Sequence, residues 1–409
     1  MRILITSIVD LERSAHNRLH EFVRYLSRRH EVIVISVKDW WKACQVDSGS
    51  YRRGLEDALR NIRIWHFTDA KVPPFLQELF SPFTLNRVLE GAGQSFDVHL
   101  NYNALISGSV VAKKLQRVGI GTVYDVADDL VAMVRESPQI PPVLRPLAGL
   151  MAKLLVRENI RVASKVTVST NALDLPGLSR SKSVVILNGV DTTMFRKRDS
   201  GELRRRLGLD EAFVIGYVGV LREWVDLKPT LRALTKLRVV GHDVKLLVVG
   251  EEGGRRGLED LAGELGISDQ VVLVGTVPYP MVPWYISCMD VGLIPFKLTR
   301  ISAGALPLKL FEYMACEVPV ICSELPSVQG LLKKVVTFAL DEDEIAHAVQ
   351  RLLENREARR RLGAVGRQLV VENYEWARIV PQLEQVLCQV AAGGSKAACA
   401  PLSWKELAK

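Results

Sequence analysis

The chain has 409 residues, 48% hydrophobic, 24% charged and 7% aromatic, with a formal net charge of +8. That length exceeds one ordinary domain and implies two, and the composition excludes disorder and fibrous repeats. No apolar run reaches the roughly 20 residues that cross a bilayer, the first residues do not read as a signal peptide, and the dispersed basic charge favours a phosphorylated small molecule or an acidic membrane face over nucleic acid.

In chain order, short β-branched runs recur at 2–9 (RILITSIV), 30–37, 62–67, 96–102, 121–127, 165–170 and 183–189. A second series follows at 213–219 (FVIGYVG), 244–251, 271–277, 290–296, 318–323 and 335–340. Runs apolar on both faces are those of parallel strands covered by helices. The segments between them are amphipathic: Leu19, Phe22, Val23 and Leu26 share one helical stripe, as do Leu258, Leu261 and Leu265 before a stop at Gly266. Strands alternating with helices in two series predict two doubly wound α/β domains, facing each other across a cleft. The first is expected over 1–190 and the second over 191–375, with a helix over 376–391 packing back on the first and a loosely held tail over 392–409. The six cysteines (Cys44, Cys288, Cys316, Cys322, Cys388 and Cys399) form no C-x-x-C pair and read as reduced, structural thiols in a cytosolic protein.

Ligands of open α/β sheets bind beyond the carboxyl ends of the strands, and the second half carries the sharper signals there. Gly219 ends one strand and Gly250 the next. Pro307 stands where the start of a helix tolerates proline, and the small SAGA stretch before it lets a ligand approach the backbone. The amides and dipole of such a helix start form an anion seat. Lys309 adds a positive charge to that turn, against the dipole preference, so it needs an anion or open solvent. Glu312 follows one turn later, beside Leu310, Phe311 and Met314.

Together and in this order, VVILNGVDTTMF (184–195), FVIGYVG, VKLLVVGEEGG, VVLVGTVPY, DVGLIPF and ALPLKLFEYMACEVPVICSE (305–324) resemble the retaining glycosyltransferases of family 4, group 1 glycosyltransferases with the two-domain GT-B fold. The resemblance covers about 160–375 and reaches the first half only in architecture. GYVGVLREWVDL, IPFKLT and PLKLFEYMACEVPV are most similar to members that build bacterial cell-surface polysaccharides. It implies a nucleotide-sugar donor, a saccharide or lipid-linked acceptor, and no separate cofactor or metal. On the donor side it implies that Gly219 lets the backbone approach the diphosphate, joined by Arg222, Gly250 and Lys309. Val277 would meet the base through backbone groups, and Glu312 would match the second glutamate of the E-x7-E motif and hold the ribose hydroxyls.

Several positions depart from the pattern. The first glutamate falls at Gly304, so the Gly304, Ala305 and Leu306 amides are expected to contact sugar or phosphate instead. Val220 and Val225 stand where the family has an arginine and a lysine, with Arg222, Lys228 and Lys309 as substitutes. In the first half the Gly-Gly loop is absent, and Ser14, His16 and Asn17 are left to meet the acceptor. Asp128 matches the family aspartate, with Ala127 in the histidine slot. His16 and Asp128 are therefore the expected catalytic groups. Asp125, Asp128 and Asp129 read as no metal cluster, since strand alternation would place Asp128 and Asp129 on opposite faces; one of them caps the next helix or orients an acceptor hydroxyl. A sugar-nucleotide epimerase on the same fold, and a member that binds without turnover, stay open.

Two segments, 73–89 and 141–159, combine apolar stripes with Arg87, Arg145, Lys153 and Arg157. Such faces either rest on an anionic leaflet, making the protein peripheral on the inner face of the cell membrane, or pack on the sheet.

Overall fold

The computed structural model describes residues 1–39, 59, 62–92, 95–137, 140–173, 175, 177–250 and 254–394. The chain divides into two units, one of Met1–Leu187 with the segment from Trp376, the other of Asn188–Glu375. The tail expected beyond 394, with Cys44 and Cys399, lies outside the described residues.

The first unit runs β1 (Arg2–Ser7), α1 (Arg18–Leu26), β2 (Glu31–Ser36), β3 (Ile62–His66), α2 (Pro74–Ala92), β4 (Val98–Tyr102), α3 (Ile106–Gln116), β5 (Thr122–Val126), α4 (Leu130–Glu136), α5 (Arg145–Val162), β6 (Lys165–Val168) and β7 (Ser183–Val185). The strands form one parallel sheet in the order β3-β2-β1-β4-β5-β6-β7. Ile5 pairs with Val34 on one side and Leu100 on the other. The central strands are buried along their length, whereas the edge strand β3 alternates half-buried and exposed residues. Sheet order reverses at β1, so right-handed crossovers place α1 and α3 on opposite faces. Leu4, Ile33, Phe67, Leu85 and Val111 fill one core cluster, and Tyr124, Val131, Val156 and Ile160 another.

Asn17 begins α1 as its N-cap, accepting from the Leu19 amide, while the His20 ring accepts from the Asn17 amide. The Asn17 side chain therefore has a capping-box role in the fold. Trp376, 2% exposed, opens a helix (Trp376–Gly394) that packs on α1 and sets its ring edge-on to Phe22 at 6.1 Å.

The second unit runs α6 (Gly201–Arg206), β8 (Phe213–Val218), α7 (Lys228–Val239), β9 (Val244–Val249), α8 (Arg255–Glu264), β10 (Val271–Gly275), α9 (Val282–Ile286), β11 (Val291–Ile294), α10 (Arg300–Ala303), α11 (Leu308–Ala315), β12 (Val320–Cys322), α12 (Pro326–Leu332), β13 (Val336–Phe338), α13 (Glu342–Glu354) and α14 (Arg356–Asn373); the helix from Trp376 is α15. Its parallel sheet has the order β10-β9-β8-β11-β12-β13. α7 packs on α13, and α11 packs on α14. Arg367 of α14 donates to the carbonyls of Ala315, Phe195 and Thr192, which fixes the C-terminal end of α11. Cys288, Cys316 and Cys322 are buried free thiols and Cys388 is a half-buried one; burial pushes the Cys288 thiol up to about 11.

Candidate functional site

In the second unit three strand-end glycines stand side by side. Gly219, Gly250 and Gly275 have φ of +127°, +150° and +82°, a region open to glycine at little cost. The Gly219 amide donates to Val249 O and the Gly250 amide to Gly275 O, both at 2.8 Å. A Cβ on Gly250 would lie 2.1 Å from Gly219 O, and one on Gly219 would lie 2.5 Å from Lys309 Nζ. The ends of β8 and β9 therefore present bare backbone to whatever approaches them.

Beside this ledge α11 begins. Pro307 is its N-cap rather than its first helical residue, and no side chain caps the first amides. Lys309 Nζ donates to the Tyr217 hydroxyl at 2.6 Å and lies 4.0 Å from that ring's centroid and 5.8 Å from the Phe296 ring. The Tyr217 hydroxyl in turn donates to Val220 O at 2.9 Å. Aromatic faces and a phenol steady an ammonium but do not neutralise it, and Lys309 has no ion-pair partner among the described residues. Loss of water pulls its pKa down to about 7, against the opposing pull of Glu312. The residue is half-buried and without an ion-pair partner among the described residues, a position at a helix start that favours a nearby anion.

Glu312, 7% exposed, accepts from the Tyr279 hydroxyl at 2.8 Å, and the Tyr279 ring packs on Phe195. The Tyr313 hydroxyl receives the Val218 amide at 2.8 Å, tying α11 to the end of β8. Lys309 and Glu312 thus share one helix anchored to the glycine ledge. Arg222 is exposed beyond Gly219 and makes no ion pair with Glu223 among the described residues. Val277 is half-buried just past β10.

The segment before α11 corrects one expectation. Thr299 caps α10 through a reciprocal box with Ser302, and this short helix turns the Gly304 and Ala305 amides onto Ser302 O. Those two N–H groups are spent internally. Ala305 O accepts from Ser327, and Leu306 O accepts from Asn188 Nδ2 at 2.6 Å. Of the three proposed amides, the Leu306 amide alone has no acceptor among the described residues.

In the first unit, Asp125 at the end of β5 is fully buried and accepts from Arg18 at 2.9 Å and Thr167 at 2.6 Å. Arg18, itself 2% exposed, also donates to Ile186 O and covers the Phe22 ring. Asp129 caps α4 through the Ala132 amide. Asp128 and Asp129 lie beyond the last residue of β5, so strand alternation does not govern them. Asp128 is exposed as a residue, yet its carboxyl lies among Asn103, Asp125 and Arg18, and lost hydration raises its pKa. Asn103 holds φ of +55° and accepts from the Ala127 amide, a strained position of the kind that clusters at working sites. His16 Nε2 bonds Glu21 at 2.8 Å, both side chains nearly buried, with the ring stacked on His20. Ser14 is buried, its amide donating to Asp10 O. Among the described residues no three His, Cys, Asp or Glu side chains gather to hold a metal ion.

Sequence reasoning missed Tyr217, Tyr279, Phe296 and Arg18. Tyr217 was within reach, since residues i and i+2 of a strand share a face and it precedes Gly219 by two.

On the outer side of the first unit, α2 packs on α3 and α3 on α5. Phe75, Leu79, Phe80 and Phe83 of α2, and Leu147, Leu150, Met151 and Leu154 of α5, stay exposed, Phe83 by 82%. Among the described residues no helix is long and apolar enough to cross a membrane.

Residues 199–369 match the family model for glycosyl transferases group 1. The chain spans about half the length of the first curated relatives it matches: it is 25% identical over 193 residues to alpha-D-kanosaminyltransferase of Streptomyces kanamyceticus, covering 46% of this chain and 49% of that protein. It is 28% identical over 325 residues to the MMP alpha-(1->4)-mannosyltransferase of Mycolicibacterium hassiacum, covering 75% and 74%. Among solved structures, Anabaena HepE in complex with UDP-glucose superposes with a TM-score of 0.72 at 16% identity, over 95% of this chain and 100% of that one. Two parallel sheets flanked by helices, together with the likeness to solved structures, give the chain the GT-B fold, and its match to the group 1 model lies within the second unit.

Proposed function

We propose that the chain is a glycosyltransferase that moves a sugar from a nucleotide-sugar donor to a saccharide or lipid-linked acceptor, with retention of configuration, in cell-surface polysaccharide synthesis. The observation that carries this reading is Lys309: a cation held at the glycine ledge by a phenol and aromatic rings, without an ion-pair partner among the described residues. A diphosphate on the bare backbone of Gly219 and Gly250, at the start of α11, would supply the missing negative charge. Glu312, one turn on, offers a carboxylate to ribose hydroxyls, with Tyr279 holding it in place. As the donor bond breaks, negative charge would grow on the leaving phosphate, where Lys309 and the amides would stabilise it. The leaving phosphate then takes the acceptor proton, so no strong base is required. On the acceptor side Asp128, backed by Arg18 and Asn103, would orient a hydroxyl, with His16 held by Glu21.

The exposed apolar stripes of α2 and α5, with Arg87, Arg145, Lys153 and Arg157 on the same segments, support docking on an anionic leaflet. Calorimetric titration of uridine- and guanosine-diphosphate sugars, with product analysis by NMR, tests the reading. Binding with transfer and an unchanged anomeric configuration is expected. Binding with isomerisation would point to an epimerase, binding alone to a non-catalytic relative, and no binding at all would reject the reading.

A further inference from the structure

A cavity of about 190 Å³ opens in the second unit at the carboxyl ends of β11, β12 and β13, beside the first turn of α7. That is far more than the ~10–15 Å³ one water requires. Thr230, the third residue of α7, lines it; its side chain is fully buried and Oγ1 has no hydrogen-bond partner among the described residues. A buried hydroxyl left unpaired is costly and marks a place where a partner is due. Ser323 also lines it, 4% exposed; its amide donates to Ile294 O and its carbonyl accepts from Leu325, so its hydroxyl is what it has to offer. Asp226 completes the polar wall. One of its carboxylate oxygens receives the Lys228 amide at 3.1 Å, and the other has no hydrogen bond among the described residues. Phe296 and Ile345 supply apolar surface.

The charges select the ligand class. Lys297, the cation on the rim, donates to Glu223 O at 2.9 Å, and Asp226 repels anions. A carboxylate and two hydroxyls facing apolar walls suit a neutral molecule with several hydroxyls and a C–H face. We propose that this cavity is a binding site for a monosaccharide-sized polyol, held by Asp226, Thr230 and Ser323 against Phe296. It is separate from the diphosphate seat and does not depend on the reading of that seat, although Phe296 borders both.

Saturation-transfer NMR on the full chain with D-glucose, D-mannose and myo-inositol tests the site, with UDP as a reporter of the diphosphate seat. At least one polyol is expected to bind the parent protein and to be undisturbed by saturating UDP. Thr230→Val should weaken it roughly tenfold by removing one buried hydrogen bond, and Ala339→Leu, which fills the lining, should abolish it. UDP affinity should be the same in both variants. If Ala339→Leu does not fold, Thr230→Val still decides the matter. No binding by any of the three polyols, binding unchanged by Thr230→Val, displacement by UDP, or a crystal soaked in the polyols that shows only ordered water in the cavity would each overturn the proposal.

Discussion

Lys309 makes the diphosphate reading measurable, because its proton is loosely held. With its pKa pulled from 10.5 to about 7, the folded protein gives up a proton that the unfolded chain keeps. Stability of the ligand-free protein therefore rises with pH between about 7 and 10.5. Under the proposed function, diphosphate affinity should run the other way, since only the ammonium pairs with phosphate. UDP or GDP binding by calorimetry should weaken by about tenfold per pH unit above 7. Lys309→Arg, which stays charged, should flatten that slope, and Lys309→Met should cost at least about tenfold in affinity at pH 7. Glu312→Gln should weaken the ribonucleotide and leave the 2′,3′-dideoxy analogue nearly unaffected, because the ribose hydroxyls are what the carboxylate would hold. A variant that weakened both equally would remove that role. Lys309 and Glu312 were legible in the sequence because helical spacing and a preceding proline place them on one turn. Tyr217, 92 positions from Lys309, was not, since only folding brings β8 to α11.

At the level of elements, all thirteen strand runs read from the sequence occur, because each buried strand must be apolar on both faces whatever surrounds it. The supports of the helices were not visible in this way. The residue before α3, Leu105, has no capping side chain. Glu78 of α2 reaches the Ile106 and Ser107 amides and the Ser107 hydroxyl instead, and burial pushes its carboxyl up. This cap comes from a residue 28 positions away, so no local motif announces it. Glu78→Ala should lower stability by about 1–3 kcal/mol in urea unfolding, the cost of leaving buried donors unpaired. The outer faces of α2 and α5 give the opposite forecast. Phe83→Ser with Leu154→Ser should leave the urea midpoint unchanged, as both side chains are exposed. The same pair should reduce flotation with phosphatidylglycerol vesicles several-fold; retained flotation would detach these helices from the membrane reading.

At the scale of the whole molecule, the second unit is one continuous stretch and the first is not. Trp376 begins α15 and is buried edge-on to Phe22 within the first unit. Trp376→Ala should cost about 3–5 kcal/mol, read as a lowered urea midpoint of the transition that reports the first unit. An apolar-periodic helix after a complete second domain is visible in the sequence, but its partner Phe22 is not, because periodicity names a buried face without naming what covers it.

The same discontinuity sets a timetable for the newborn chain. Once Leu187 has left the ribosome, 188 further residues must be made before Trp376 follows, a wait of roughly 10–40 s at ~5–20 residues per second. Until then the α1 surface that α15 will cover stands bare, while the intervening unit is already whole. Assembly in the cell therefore finishes at the half whose synthesis began first.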